Sequence, residues 1–573
     1  MKTPNRSAAL LLRGALQFIV VQIAATIAFS LDANAQTVAP SAPDSAALKK
    51  YDKNQNGRLD ADELAAQQAD EASATRAVVV TPNTSGEENK ETIALSPFEV
   101  RADQDKGYYG ANTMSGTRLN SKLEDLAASI TVVTKQQLID TAAVDINDVF
   151  LYEANTEGSG QFTAFGNDLG GVGDSVQGNP QGANRVRGMG GANQSRGNFA
   201  ALGEIPIDTY NIDSVEISRG PNSNIFGLGN GSGTVNIRSS RARLDKASNQ
   251  FSLRTDDRGS FRSTFDFNRP LGKQLSVRVL GVYDDVGYTR KPSKDITRRG
   301  TAAFAFQPFK LTKIRGSYES YHSMQRRPNY VTPRDNITPW IEAGRPTWDP
   351  VTFTAKRDGV AIGTFTTAQN ASLPAGLWSQ GRGMDTGTIL FYEPNGLALW
   401  TVPRLTTTTN PYTGNTNSRY LQTGSTIVRN AAAFPLFFAP GISDKSLYDW
   451  SSINSTARNY TKAQADIFTL EIEQFLINTP THVLAASAGW YREDLERYSN
   501  IVLAGGAGNN VVIDVNERML DGTPNPYFLR PYISGTMPTE PITRRPVLND
   551  NTRAQLAYQL DLTQQPGWRS WGG

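Results

Sequence analysis

Residues 212–237 read IDSVEISRGPNSNIFGLGNGSGTVNI, two apolar-alternating runs on either side of a glycine-rich stretch. The alternating pattern from Ser214 to Ser218 predicts a strand with Val215 and Ile217 on one face, because successive side chains of a strand point to opposite sides. Val235 begins the return strand. Glycine permits positive φ and close backbone approach, and the turn glycines predicted here are Gly220, Gly227, Gly229 and Gly233. The stretch therefore predicts two strands joined by a glycine turn.

A dinucleotide-binding loop is the competing interpretation of these glycines. That fingerprint needs a third glycine at position 232, where this chain has Ser232, and a helix after the loop. A strand pattern follows instead, and the stretch holds no Gly-Lys-Ser/Thr sequence. Nucleotide binding is therefore excluded at this point.

Upstream, residues 123–149 read LEDLAASITVVTKQQLIDTAAVDINDV and predict helix, strand and helix. Ser129 to Val133 is the β-branched strand, and Thr134 with Gln137 three residues later forms a capping box for the helix that follows. Asp145 is placed to cap the next helix. A further element, NRVRGMG at residues 184–190, lies beyond a Gly/Asn-rich stretch. The whole region predicts a small α+β domain.

In this order, these elements resemble the plug domain of TonB-dependent outer-membrane receptors. The resemblance is close over residues 91–242 and implies a plug domain at 101–248. It also implies that Arg187, Glu216 and Arg219 form an ionic latch between the plug and charges on a barrel wall; the alternative is solvated charges at strand ends. The sequence GNFAALGE at 197–204 differs from the usual family pattern. The resemblance therefore does not fix the conformation of the plug's apex loop or its ligand contacts.

The segment at 91–100 precedes the plug and has the acidic-Thr-apolar order of a TonB box. An extended peptide of this kind can add as an edge strand to a partner's sheet. The resemblance implies that the partner is TonB, with its inner-membrane energising complex. The alternative is an ordinary linker strand. The TonB-box residues are Glu91, Thr92, Ile93, Ala94, Leu95 and Ser96.

Composition argues against most enzyme classes. The chain has no cysteine, only two histidines, and 57 basic against 55 acidic residues for a net charge of +2. Thiolate sites and cysteine nucleophiles are therefore absent. Two histidines are also too few for most zinc sites and give little support to histidine-based catalysis. The near-neutral balance gives no sign of nucleic-acid binding. We expect no enzyme and no required cofactor.

The first 35 residues predict a secretory signal peptide. A basic start is followed by the apolar run GALQFIVVQIAATIAFSL at 14–31 and by the small-residue site Ala33-Asn34-Ala35. A single membrane anchor is the alternative, but the run is short and contains Gln17 and Gln22. Export fits a protein of a Gram-negative outer membrane.

A periplasmic extension is predicted at 36–90, and it contains an EF-hand-like loop at 52–63. The loop reads DKNQNGRLDADE, with oxygen donors at the spacing of a Ca²⁺ loop and a glycine at its sixth position. The alternative is a solvated polar turn between two short helices, and no second loop pairs with it. The predicted Ca²⁺ ligands are Asp52, Asn54, Asn56, Arg58 through its carbonyl, Asp60 and Glu63.

From residue 249 onward apolar and polar residues alternate with a period of two, which predicts strands with one apolar face. Connections alternate between short and long, and aromatics lie near strand ends, as in transmembrane barrels. The fold predicted for the chain is therefore mainly β: an α+β plug followed by an antiparallel transmembrane β-barrel. Eight strands are predicted, around residues 251–253, 261–268, 277–283, 304–306, 314–319, 468–472, 484–490 and 556–562.

Two long segments, 324–456 and 494–551, are predicted to be extracellular or to hold unrecognised strands. Their aromatics either stack on a ligand or pack the loops together. The family barrel has about 22 strands, and an eight-stranded barrel is too narrow to hold a plug. We therefore expect residues 249–573 to be the N-terminal part of a barrel, truncated in this chain.

Together the resemblance implies TonB-dependent uptake of a scarce nutrient across the outer membrane, with a ferric siderophore as the commonest substrate. Its partners would be TonB, outer-membrane lipid and a small-molecule ligand such as a metal chelate or an oligosaccharide. Two alternatives are a receptor-transducer and a non-transporting adhesion or binding barrel. The first needs a folded signalling domain, for which residues 36–90 are too polar, and the second needs neither plug nor TonB box.

Overall fold

The computed structural model describes residues 97–100, 105, 107–158, 184–220, 231–328, 334–365, 373–378, 388–393, 396–401, 420–423, 454, 456–479, 481–501, 510–519, 521–534 and 542–560 of the 573-residue chain. Two stacked β regions dominate them: a small mixed sheet formed by residues 130–239 and a large antiparallel sheet formed by residues 248–560. No helix among these residues has the length and apolarity needed to cross a membrane.

The small sheet has five strands and two short helices. In chain order they are β1 (Ile130–Thr134), α1 (Lys135–Asp140), α2 (Ile146–Phe150), β2 (Asn193–Arg196), β3 (Phe199–Ala200), β4 (Ile212–Arg219) and β5 (Gly233–Ser239). The strand order is β1-β4-β5-β2-β3, and only the β2–β5 pair is parallel. Shorter elements are strand pairs 112–113 with 121–122 and 156–157 with 185–186, and 3-10 turns at 123–125 and 209–211.

Local sequence explains these elements. The Thr134 hydroxyl accepts a hydrogen bond from the Gln137 amide at 3.2 Å, and the Asp145 carboxylate accepts one from the Asp148 amide at 3.0 Å. Both predicted caps are therefore confirmed. The sheet and helices form a continuous apolar core, since apolar side chains occupy alternate positions of the central strands, such as Val215 and Ile217 on β4. It includes Val133, Leu138, Ile146, Phe150, Ile207, Ile212, Val215, Ile217, Val235 and Ile237.

Two of the predicted turn glycines have the backbone conformation expected of them. Gly220 has φ of +102° and Gly233 has φ of +119°. A Cβ at Gly233 would stand 2.0 Å from the Ser218 carbonyl oxygen, so no other residue fits there without backbone movement. Gly227 and Gly229 lie outside the described residues.

The large sheet has eight antiparallel strands in chain order. They are β6 (Ser248–Thr255), β7 (Phe261–Pro270), β8 (Leu275–Gly287), β9 (Lys294–Phe309), β10 (Thr312–Arg326), β11 (Tyr460–Asn478), β12 (His482–Asn500) and β13 (Ile542–Leu560). All eight predicted strands are confirmed. Strands β12 and β13 reach further than predicted, so the predicted loop 494–551 shrinks to 501–541, because polar residues occupy both faces there. We call this sheet the wall.

One end of the wall carries short turns, between β7 and β8, β9 and β10, and β11 and β12. The opposite end carries the long connections after Arg326 and Asn500. These connections contain strands of their own, at 334–335, 347–349, 354–357, 360–364, 377–378, 388–393, 396–401, 422–423, 510–513 and 531–534, and a helix at Thr338–Glu342. We call the two ends the short-turn end and the long-loop end.

The long connections are packed by their own aromatics. Trp348 is fully buried and contacts the rings of Phe353 and Phe365, while Trp340 and Leu421 belong to the same core. Of the two interpretations of these aromatics, loop packing therefore holds for Trp340 and Trp348.

Candidate plug-to-wall interface

The two faces of the wall differ in polarity. One face exposes large apolar side chains, for example Phe251, Phe304, Leu470 and Leu556. Residues of opposite parity, such as Thr301 and Glu319, point to the small sheet and are buried. We call these the outer and inner faces. An apolar outer face and a polar inner face are what a membrane barrel requires.

Asp208 joins the small sheet to the inner face through a charged cluster. Its carboxylate accepts two hydrogen bonds from the Arg262 guanidinium of β7, at 2.6 and 3.0 Å. Arg262 also contacts Asp284 of β8 at 2.7 Å, and all three side chains are largely buried. Bidentate arginine–carboxylate geometry fixes orientation as well as adding energy.

A second buried cluster centres on Glu319 of β10. The Glu319 carboxylate accepts from Arg196 at 2.8 Å and from the Asn211 amide at 3.0 Å, both on the small sheet. Arg299 of β9 contacts the same carboxylate at 3.3 Å and donates to the Pro206 carbonyl at 2.5 Å. One wall carboxylate thus binds two separate segments of the small sheet.

The β2–β3 hairpin inserts an aromatic ring into the wall. Gly197 and Asn198 form its two-residue turn with φ of +54° and +65°, as a type I′ hairpin needs. Phe199 then stacks on Tyr491 with ring centroids 5.6 Å apart, and the Arg553 guanidinium lies 4.2 Å from the Phe199 centroid.

Gly489 of β12 makes room for that ring. A Cβ at Gly489 would stand 2.7 Å from Cζ of Phe199, closer than van der Waals contact allows. The ring therefore fills a notch that only glycine leaves open at this wall position.

The segment after the hairpin is held by polar wall residues. The Leu202 amide donates to Glu493 at 3.0 Å, and the Asn549 side chain donates to the Ala200 carbonyl at 2.8 Å. Glu204 is bound by Arg497 at 2.9 Å and by Arg545 at 3.1 Å. The stretch 197–204, which departs from the family pattern, is therefore a principal attachment to the wall.

At the short-turn end the described N-terminal segment 97–100 meets the wall. Glu99 forms ion pairs with Arg315 and Lys313 of β10. Phe98 packs with Phe475, Val483 and Ala557 beside the short turns. The segment also binds the small sheet, since the Asn120 side chain donates to the Glu99 carbonyl at 2.9 Å.

Electrostatics at the attachment follow from these pairs. Burial raises the pKa of Asp208, but the charge and hydrogen bonds of Arg262 and the charge of Arg299 outweigh it, so the pKa lies below its ordinary value. Asp213 behaves alike: burial raises its pKa, while Lys135 and Arg278 together bring it below the ordinary value. Both carboxylates are therefore ionised at neutral pH.

The structure gives the three predicted latch residues partners inside the small sheet. Among the described residues, Arg187 donates to the Gly231 carbonyl at 3.0 Å, and Arg219 contacts Glu153 at 3.4 Å and the Ala154 carbonyl at 2.9 Å. Neither side chain meets the described wall. Their placement at strand ends was predicted, but the attachment to this wall falls on other residues.

Glu216 is likewise internal. It is fully buried on β4 and accepts from the Ser115 hydroxyl, from the Met114 amide at 3.4 Å and from the Asn236 amide at 2.9 Å. Asn236 in turn donates to Asn198 at 2.8 Å. The contact with a wall charge predicted for Glu216 is therefore not found among the described residues, because the neutral donors of Met114, Ser115 and Asn236 surround both carboxylate oxygens.

The sequence contained little that marked the wall-attachment residues which the sequence analysis missed. Arg262, Arg299 and Glu319 occupy polar positions of alternating strands, where a charge is ordinary on a lumen face. Their strand positions were predicted, but their partners lie more than fifty residues away in the chain. Phe199 belonged to the segment marked as departing from the family pattern, which was the usable signal.

Several predicted features lie outside the described residues: the signal peptide at 1–35, the EF-hand-like ligands at 52–63 and the TonB-box residues 91–96. Within the part of the chain that the structure describes, no group of three or more His, Asp or Glu side chains could hold a metal ion.

Comparisons with known proteins bear on this arrangement. Residues 122–234 match the family model of the TonB-dependent Receptor Plug Domain. The catecholate siderophore receptor Fiu of Escherichia coli K12 is 24% identical over 175 residues, which are 30% of this chain and 21% of that protein. The metal-pseudopaline receptor CntO of Pseudomonas aeruginosa is 32% identical over 187 residues, 32% of this chain and 24% of that protein. The matches thus span about a quarter or less of these relatives.

Solved structures similar to this chain include two receptors. The closed form of the ferric-catecholate import receptor Fiu aligns with a TM-score of 0.43 at 15% identity, covering 78% of this chain and 45% of that one. The ferripyoverdine receptor of the outer membrane of Pseudomonas aeruginosa, bound to ferripyoverdine, aligns with a TM-score of 0.39 at 12% identity, covering 82% and 57%.

The small sheet coincides with the plug-domain match, and the wall around it has the apolar outer face and polar inner face of a membrane barrel. Proteins of this kind are receptors and not enzymes. The chain is thus similar to the TonB-dependent receptors of the Gram-negative outer membrane: residues 122–234 match their plug domain, and residues 248–560 form a sheet with the polarity of a barrel wall.

Proposed function

We propose that this receptor takes up a scarce nutrient across the outer membrane with energy delivered by TonB, and that a ferric siderophore is the nutrient. The observation that carries the proposal is a plug attached to the inner wall by separable ion pairs, with its N-terminal segment at the short-turn end. A plug that blocks a barrel and an accessible N-terminal handle are the two parts such a transporter needs.

The position of segment 97–100 supports the role of the preceding residues. Glu99 and Phe98 lie at the short-turn end, and residues 91–96 directly precede them in the sequence. Short turns face the periplasm in outer-membrane barrels, where an inner-membrane partner can reach. An extended peptide there can add as a strand to the TonB sheet.

Transport then follows from where the plug is held. Ligand arriving at the long-loop end binds the loops and the plug, and TonB pulls on the N-terminal segment. That force acts first on the Glu99 pairs and the Asn120 hydrogen bond, which join the segment to wall and plug. Two related receptors, for a catecholate siderophore and for metal-pseudopaline, favour a metal chelate as the ligand.

The test is uptake of ⁵⁵Fe-loaded catecholate and hydroxamate siderophores by cells whose other siderophore receptors are deleted. Deleting residues 91–96 from the intact gene should abolish uptake and leave ligand binding to cells unchanged. Deleting six residues of the same extension, 81–86, is the control and should keep uptake. Uptake that survives loss of 91–96 would refute TonB dependence, and uptake of no iron chelate would refute the substrate class.

We also propose that the loop at 52–63 binds Ca²⁺, on the strength of its twelve-position match. Equilibrium dialysis of the intact protein against ⁴⁵Ca²⁺ should show one site, and Glu63→Gln should weaken it by at least about tenfold by removing the bidentate ligand. Asp70→Asn, outside the loop, is the matched control. Equal binding by both variants would contradict the site.

A further inference from the structure

The outer face of the wall changes character toward the long-loop end. On β11 the outward residues are apolar up to Phe468, and then Asp466, Gln464 and Lys462 follow at the same parity. Strands β9 and β10 show the same change. Their outward residues are aromatic at Phe304 and Tyr318 and become cationic, at Arg298 and Arg326, nearer the long-loop end. Polar outward positions above an apolar band mark the lipid headgroup level.

Three cations on these adjacent strands have no acidic partner among the residues that the structure describes. Arg298, Arg326 and Lys462 are exposed, and none of them contacts a carboxylate within the described residues. Arg298 lies 5.6 Å from the Tyr283 ring centroid, whereas Arg326 and Lys462 lie 6.0 and 5.7 Å from the centroid of the single ring of Tyr460.

Three other outward cations of the described strands near this level have carboxylate partners. Lys294 pairs with Asp285 at 2.8 Å, Arg492 with Asp550 at 3.5 Å, and Arg544 with Glu496. The outward carboxylates diagonal to Arg298 and Lys462 are Asp285 and Glu496, which these pairs already use, and Asp466 accepts from the Tyr318 hydroxyl at 2.7 Å. The unpaired cations are therefore a local excess of positive charge on β9, β10 and β11.

Register brings these charges together. Met324 pairs with Lys462 across β10 and β11, so Lys462 is a diagonal neighbour of Arg326, two residues along. Arg298 pairs with His322 on the same face of β10. His322 is four residues from Arg326, so Arg298 lies one step further along the strands, and Lys294, which pairs with Asp285, stands directly opposite Arg326. Arg326 and Lys462 are close enough to repel one another, and an anion bound between them and Arg298 would convert the repulsion into attraction.

We propose that Arg298, Arg326 and Lys462 bind the phosphorylated headgroup of a lipid in the membrane leaflet that faces the long loops. The patch lies on the face continuous with the apolar band, so a lipid whose acyl chains cover that band presents its headgroup here. Phosphate accepts hydrogen bonds from guanidinium and ammonium groups, and tyrosine rings at this level suit a membrane interface. The inference rests on the outer-membrane orientation in the proposed function and not on the transported substrate.

The test uses protein from the intact gene, extracted from outer membranes in nonionic detergent and stripped of lipid. Wild-type protein should bind diphosphoryl lipid A, and removal of both phosphates from the lipid should abolish binding. Inorganic phosphate at millimolar concentration should not compete, since it lacks the acyl chains. Binding of the dephosphorylated lipid with equal affinity would overturn the proposal, and so would full competition by inorganic phosphate, which would indicate a soluble anion site.

Charge variants locate the site. The triple variant R298Q/R326Q/K462Q should bind diphosphoryl lipid A about a hundredfold more weakly, since each cation near an anionic lipid surface contributes roughly fivefold. The matched control R492Q/R544Q removes two charges from the same face, from cations that already have carboxylate partners, and it should change affinity by less than about fivefold, whereas R326Q/K462Q should weaken binding about twenty-fivefold. Equal weakening in both variants would mean nonspecific charge attraction and overturn the assignment.

Uptake separates this inference from the proposed function. Lipid binding that fails the tests above while ⁵⁵Fe uptake is normal refutes the headgroup site alone. Lipid binding that passes in a protein that transports no iron chelate refutes the substrate class and leaves the headgroup site standing.

Discussion

The interior of the plug and its attachment to the wall are held by different chemistry. Inside, the fully buried Glu216 carboxylate is bound by neutral donors, beside a continuous apolar core. At the wall, Asp208 and Glu319 each face arginines. Neutral networks and apolar cores come apart only on unfolding, whereas ionic groups regain hydration when they separate. The plug's fold and its attachment should therefore break independently.

The largest effect is expected inside the plug. Glu216→Ala orphans three buried donors, of Ser115, Met114 and Asn236, and should destabilise the plug by on the order of 4 kcal/mol, at about 1–3 kcal/mol for each unsatisfied group. Limited proteolysis within 107–239 measures it. Glu216→Gln keeps the volume and one acceptor, so it should cost less. Equal protease resistance of wild type and Glu216→Ala would contradict the view that the Glu216 network stabilises the interior of the plug.

The next largest effect is expected at the aromatic notch. Phe199→Ala removes the stack on Tyr491 and leaves a cavity against Gly489, which should weaken the attachment by about 3 kcal/mol while the plug stays folded. Hydrogen exchange should rise in the β2–β3 hairpin and not in β4. Leu202→Ala, at an exposed neighbour, is the control. Exchange rising equally in β4 would show that the two regions are coupled.

A smaller effect is expected at the bidentate pair. Asp208→Asn keeps the shape and one acceptor, and Arg262 retains Asp284, so the loss should be about 1–2 kcal/mol. Hydrogen exchange of residues 205–211 reports it, and its salt dependence should fall in the variant. Asp257→Asn, whose side chain is 91% exposed, should change nothing. If the salt dependence of exchange were the same in Asp208→Asn as in wild type, the attachment would depend on apolar contacts alone.

The smallest effect concerns acid. The pKa of Asp208 and of Asp213 is lowered in the fold, so each carboxylate contributes stability above its unfolded pKa that is lost as pH falls through the folded pKa. The protection factor of the attachment amides, which is the intrinsic exchange rate at each pH divided by the measured rate, should therefore be constant between about pH 5 and pH 8 and fall only below about pH 4. A fall already at pH 6 would point to another titrating group.

Much of this arrangement was predictable from sequence. Strict alternation located all eight wall strands, and the caps at Thr134 and Asp145 located both plug helices. These features depend on neighbours within a few residues. The ends of β12 and β13 were missed because the strands continue where both faces are polar and periodicity fades.

The attachment itself was not predictable, because it depends on which distant side chains meet. Glu216 lies at a strand position where charge suggests an external partner, yet Asn236 and Ser115 surround it. Arg196 sits two residues before Asn198 without any pattern to mark it, yet it reaches Glu319 in the wall. Only the tertiary structure shows that Glu216 pairs inside the plug and that Arg196 pairs with the wall.

The length of β11 has a consequence for how a ligand is first met. The strand has 19 residues, and Phe468 is the last apolar residue on its outer face before it continues to Tyr460. At about 3.3 Å per residue and a tilt near 40°, the remaining stretch rises about 20 Å above the apolar band. Electrostatic forces in physiological salt decay over about 8 Å. Lys462, which marks the headgroup level, is only two residues from Tyr460, so the end of the strand stays within that distance of the lipid phosphates. Any binding surface beyond the reach of the membrane's negative charge therefore has to be formed by the long connections.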